Sequence, residues 1–153
     1  MSRQFVHITV WTIPASRMKA HKEHRVPLSD RAVAILDNMP RIRGERHVFP
    51  GAKVGTGLSN MAMLETLRGM RPGFTVHGFR SAFKDWASET TRYPNIVSEA
   101  ALAHTVGDKV EAAYRRGELI EKRRLLMRDW AAYCARPPVA RANVVNLSAH
   151  NRA

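Results

Sequence analysis

His77 and Arg80 stand three residues apart in the stretch HGFR. On a helix that spacing puts both side chains on one face. Near a helix start the backbone itself favours an anion. An arginine adds a planar fork that matches two phosphate oxygens. His104 comes just before a loop that leads into a late helix, and Tyr114 follows it by ten residues. A phenol has an ordinary pKa near ~10 and is a poor nucleophile until cations stabilise the phenolate. Lys19 offers a further cation from the tip of an early hairpin. A nucleophile, charge stabilisers, and proton donors and acceptors are what phosphoryl transfer by a tyrosine requires.

Each of these residues also has an ordinary reading. His77 fits a helix cap, and Arg80 fits a solvated surface charge. A lysine at a hairpin tip is usually just solvated. His104 fits the cap of a helix C-terminus. Tyr114 on a long helix fits packing. No one residue decides the matter; the joint order and spacing carry the chemical reading.

The composition sets bounds on what the site can serve. The chain has 153 residues, enough for one domain with a core. Its 25 Lys and Arg against 13 Asp and Glu give a net charge of +12. A field of that sign favours a polyanion, and a nucleic-acid backbone is the first candidate. Cys134 is the one cysteine, so an intrachain disulfide and a cysteine-based metal cluster are both excluded. No apolar run approaches the ~20 residues that span a membrane, and MSRQFVHITVW has no long apolar segment of a signal peptide. A cytoplasmic protein with no membrane association is expected.

The elements that must hold these groups follow from the patterning. FVHITVWTIP is rich in β-branched and aromatic residues and predicts a strand over Phe5–Pro14. EHRVPL predicts a second, over Glu23–Leu28. The connection between them carries Arg17, Lys19 and Lys22, with Arg25 just beyond, so a hairpin with a basic tip is expected. SDRAVAILDNM opens with a capping Ser29 and places Val33, Leu36 and Met39 at helical spacing. FPGAKVGTG is a glycine-rich loop without the ending of a phosphate-binding loop. LSNMAMLETLRGM predicts a helix capped by Ser59. HGFRSAFKDWASET predicts one with Phe79, Phe83 and Trp86 on a single face. YPNIVSEAALAH adds another, with Pro94 in its first turn. Asp108 would cap a long last helix from Lys109 to about Ala135, its stripe formed by Val110, Ala113, Ile120, Met127 and Trp130. The remainder opens on two prolines and has little periodicity, as a flexible tail would.

Three stretches together, WTIPASRMKAHKEHRVPLS (Trp11–Ser29), HGFR (His77–Arg80) and LAHTVGDKVEAAYRR (Leu102–Arg116), resemble the catalytic domain of phage integrases, the tyrosine recombinases. The family pattern is a hairpin lysine, then H-x-x-R, then a second His, then the tyrosine nine or ten residues later. ELIEKRRLLMRDWAAYC also resembles these integrases beyond the nucleophile, so the similarity spans roughly Trp11 to Cys134. The resemblance implies an α+β fold, mainly helical, with a small N-terminal sheet. It implies a partial integrase catalytic domain over residues 1–136 and a flexible tail over 137–153. It also implies double-stranded DNA as partner, with other integrase protomers assembled on it, and no cofactor or metal.

The same resemblance assigns roles. Tyr114 would attack the scissile DNA phosphate and form a 3′-phosphotyrosine bond. Arg80 would clamp non-bridging oxygens. Lys19 would protonate the departing 5′-oxygen, His77 would assist proton transfer, and His104 would hydrogen-bond the phosphate. The family's first catalytic arginine lies in a helix upstream of the hairpin. Arg3 stands just ahead of the strand, and the role does not transfer to it. A truncated integrase with weak or no independent strand cleavage is therefore expected. A non-catalytic DNA-binding protein, held by phosphate contacts and strongly salt-dependent, is the alternative. A basic structural protein carrying a relic of integrase sequence is a further one.

Overall fold

Two short strands and five helices make up the described part of the chain, residues 9–104 and 119–137 of a computed structural model. The strands are β1 (Val10–Ile13) and β2 (His24–Pro27), antiparallel, with Val10 opposite Pro27 and Ile13 opposite His24. A turn of tight helix, Ala15–Arg17, starts their connection. The helices are α1 (Asp30–Asp37), α2 (Ala62–Met70), α3 (Val76–Thr90), α4 (Asn95–Ala101) and α5 (Ile120–Cys134). The architecture is α+β and mainly helical, as expected.

The core lies where α3, α4 and α5 meet. Phe83, Trp86 and Ala87 from α3, Val97 from α4 and Leu126 from α5 are buried together. Trp130 closes the cluster, its ring edge-on to Phe83 at 5.4 Å and 5.0 Å from Trp86. Tyr133 stacks on Trp130 at 5.5 Å. Edge-on and offset aromatic pairs add to the burial of their apolar area. Tyr93, in the connection from α3 to α4, donates from its hydroxyl to Asp129 on α5 at 2.7 Å. That bond ties the third helix of the group to the connection between the other two.

The hairpin is held to this core by a charged residue. Arg123 on α5 is buried, and its guanidinium donates to the backbone carbonyl of Arg25 on β2. Leu119, Arg123, Leu126, Met127 and Trp130 share one helical face. An arginine in the middle of an apolar stripe is the sequence signal of such an inward-facing charge.

Several expectations need correction. The last helix does not run unbroken from Lys109: Leu119 adopts a left-handed φ of 51°, and α5 begins at Ile120. A left-handed residue cannot continue a right-handed helix. The Ser59 side chain does not cap α2; the cap position is Met61, and Ser59 contributes only its carbonyl, which accepts from Ala62. Phe79 is exposed, whereas Phe83 and Trp86 are buried. The first strand begins at Val10, with residues 1–8 outside the described ones. The second strand and the cap of α1, where the Ser29 hydroxyl accepts from the Ala32 N–H, match expectation. Of the expected tail only Pro137 is described.

The loop between α1 and α2 carries exposed Arg41, Arg43, Arg46 and Lys53 around a single carboxylate. Glu45 accepts from the backbone of Arg46 and His47 and from the His47 ring at 2.8–2.9 Å, and from the Gly55 backbone at 3.4 Å. The His47 ring first, then the backbone N–H groups, hold the Glu45 carboxyl down from 4.5 to about 2. A carboxyl depressed in the folded state stabilises it above the unfolded value, and the contribution is lost as pH falls through the folded one. The amide proton shifts of Arg46, His47 and Gly55 should therefore move together with a midpoint near 2 rather than 4.5, and this transition should vanish in Glu45→Gln.

Candidate phosphate site

The start of α3 is built by Thr75. Its hydroxyl accepts from the Gly78 N–H at 3.1 Å, the bond expected of a cap residue. His77 is therefore not the cap. It lies exposed in the first turn, at the positive pole of the helix. Arg80 sits one turn further on the same side, half-buried. Its Nη2 donates to the carbonyl of Leu102 at 2.6 Å. Leu102 is the cap position of α4, so its carbonyl has no acceptor role inside the helix and takes the guanidinium instead. Arg80 is thus more than a solvated surface charge, and it retains further N–H donors on its fork.

His104 stands two residues beyond Leu102. Its N–H donates to the Glu99 carbonyl at 3.0 Å, and the Ala103 N–H donates to the Ala100 carbonyl at 3.3 Å. These paired bonds close the C-terminus of α4, with Ala103 at the left-handed position usual for glycine. Ala103 has a φ of 54°. His104 therefore does cap α4, through its backbone, while its ring remains for other work. A Cβ in the left-handed region costs roughly 1 kcal/mol. Ala103→Gly should raise the unfolding free energy by about 1 kcal/mol in urea denaturation, somewhat less if the added freedom of the unfolded chain offsets it.

The His104 ring has its own partner. Nδ1 lies 2.5 Å from Glu99 Oε2, and Glu99 Oε1 lies 2.6 Å from Lys84 Nζ. Lys84 also donates to the Ser98 hydroxyl at 2.9 Å and to the side-chain oxygen of Asn95. Lys84, and after it the His104 ring, holds the Glu99 carboxyl below the ordinary range. His77, Arg80 and Lys84 fall at successive turns of α3, a basic stripe along the end of α4. Neither Lys84 nor Glu99 figures in the sequence-based candidate set. The signal for them was their helical phase relative to Arg80 and His104, which has meaning only once the two helices are known to pair.

Of the five candidates, the structure brings Arg80 and His104 to the same end of α4 and sets His77 one turn from Arg80. Lys19 is exposed in the hairpin connection, and no hydrogen bond or ion pair among the described residues joins it to the others. Tyr114 lies outside the described residues. The two described tyrosines are engaged elsewhere. Burial, and then the Asp129 carboxylate, push the Tyr93 hydroxyl up, the wrong direction for a nucleophile. Tyr133 is stacked on Trp130, with the Arg136 guanidinium over its ring.

The arrangement can hold an anion beside cations on paired helices. A prophage integrase of Escherichia coli, IntA, is 38% identical over 125 residues, which span 79% of this chain and 30% of that protein. A second from the same organism, IntZ, is 37% identical over 123 residues, 78% of this chain and 30% of its own. The integrase of Enterobacteria phage P4 is 31% identical over 144 residues, 82% and 33% respectively. No family model and no solved structure matches the chain. The chain spans about a third of the length of these relatives. Over that third, it belongs to the family of phage and prophage integrases.

Proposed function

We propose that the chain is the catalytic portion of a tyrosine recombinase, residues 1–136, followed by a tail over 137–153. In this reading it cleaves and rejoins double-stranded DNA through a 3′-phosphotyrosine. The Tyr114 oxygen attacks the scissile phosphorus, and the bond from phosphorus to the 5′-oxygen breaks. Lys19 gives that oxygen its proton. His77 assists removal of the phenolic proton, while Arg80 and His104 bind the non-bridging oxygens. The bond energy is conserved in the phosphotyrosine, so a second DNA strand can displace it without ATP, in an assembly with other integrase protomers.

The observation that carries the reading is the pairing of Arg80 and His104 at the end of α4, in a chain homologous to integrases. Charge-assisted donors aimed at a phosphate stabilise the transition state by several kcal/mol. A non-catalytic DNA-binding role is the second reading. It is favoured by the net charge of +12 and by the exposure of Arg17, Lys19 and Lys22 on the hairpin and of the basic loop after α1.

The test is a suicide DNA substrate, nicked so that the cleaved strand diffuses away. A covalent protein–DNA adduct supports the recombinase reading. Salt-sensitive binding without an adduct supports the second reading. Loss of both sinks the two together.

A further inference from the structure

We propose that Glu99, itself anchored by Lys84, is a positioning residue that fixes the His104 ring with Nδ1 turned inward and Nε2 turned out toward the bound phosphate. The role of Nε2 rests on the recombinase reading; the fixing of the ring does not. Glu99 and His104 are joined twice, by the 3.0 Å backbone bond that closes α4 and by the 2.5 Å contact between their side chains. The backbone bond sets the distance between the two residues, so the side-chain contact needs little further ordering. Glu99 is ionised, held so by Lys84, and an ionised carboxylate only accepts. Nδ1 must then carry the proton.

The consequence is chemical. With Nδ1–H committed to Glu99, a neutral ring offers Nε2 as an acceptor and repels a phosphate oxygen. Only the doubly protonated ring offers Nε2–H as a donor. Among the described residues the charged group in contact with this ring is Glu99 on α4, with Lys84 of α3 bound to the other Glu99 oxygen; Arg80 of α3 binds the Leu102 carbonyl two residues earlier. Lys84 contributes by locking Glu99 in place: it has three acceptors around it, on Asn95, Ser98 and Glu99.

The measurement is the pair of ring 15N shifts of His104 in the full chain at a pH where the ring is neutral. The expected result is the Nδ1–H tautomer, the form that free imidazole disfavours. Glu99→Met, similar in size and lacking an acceptor, should shift His104 to the Nε2–H tautomer while His77 keeps its own shifts. An Nε2–H tautomer in the unaltered chain overturns the proposal, and that measurement needs no variant to fold. An unchanged tautomer in a folded Glu99→Met overturns it as well. On a short DNA duplex, His104→Ala and Glu99→Met should each weaken binding about 5-fold, and the double variant no more than either, as for residues acting as one unit. Additive losses overturn the positioning role. If the tautomer is as expected and His104→Ala leaves DNA affinity unchanged, the positioning of the ring stands and it is the recombinase reading of His104 that falls.

Discussion

Tyr114→Phe is expected to abolish the covalent adduct formed on a suicide substrate while leaving DNA affinity within about 2-fold. Phenylalanine keeps the ring and removes only the oxygen that would bond to phosphorus, so no weaker version of the step survives. Binding should persist because affinity for DNA comes from phosphate contacts spread over many cations, not from one phenol. The natural controls are the other two tyrosines. Tyr93 donates to Asp129, and Tyr133 packs against Trp130. Tyr93→Phe and Tyr133→Phe should both retain the adduct, with Tyr93→Phe somewhat less stable for want of its hydrogen bond. Should the adduct survive in Tyr114→Phe and disappear in either control, the nucleophile has been misassigned. A short peptide carrying the trapped nucleotide, mapped by mass spectrometry, identifies the residue directly.

The sequence made some parts of this structure legible and hid others for physical reasons. Elements governed by local chemistry were readable. The Ser29 cap, the strand over His24–Pro27, and a helix from the HGFR stretch follow from side-chain type and period. The Thr75 cap one residue before that helix is equally local, yet His77 competed for the assignment because both can accept a backbone proton. What the sequence concealed was pairwise. Whether Arg123 turns inward depends on the Arg25 carbonyl, 98 residues away in the chain. Whether Glu99 serves His104 depends on the turn that closes α4, which puts an alanine where a glycine is usual. A break at Leu119 inside an otherwise helical pattern has no local sign, since leucine is a good helix former. The candidate site divides the same way. Arg80 and His104 were found by order and spacing, and their common position at the end of α4 emerged only from helix packing.

Arg80 gives the second large effect, because two demands fall on one guanidinium. Its Nη2 holds the Leu102 carbonyl at 2.6 Å, and its other N–H groups would serve the phosphate. Arg80→Ala should therefore cost on two separate scales. Removal of a charged donor from a half-buried carbonyl should lower unfolding stability by about 1–2 kcal/mol. Removal of a preorganised cationic donor from the transition state should slow adduct formation roughly 10²–10³-fold. Arg80→Lys separates the two. A lysine ammonium is a point charge that can satisfy the carbonyl or the phosphate but cannot fork to both. It should recover most of the stability and little of the rate. The slope of log affinity against log salt should fall by about one in Arg80→Ala and hold in Arg80→Lys, a readout independent of cleavage. Equal adduct rates for Arg80→Lys and the unaltered chain would mean that charge alone suffices at this position. Arg80 would then be a helix-capping residue that happens to lie near DNA, and the phosphate clamp would have to be sought elsewhere on the basic stripe of α3.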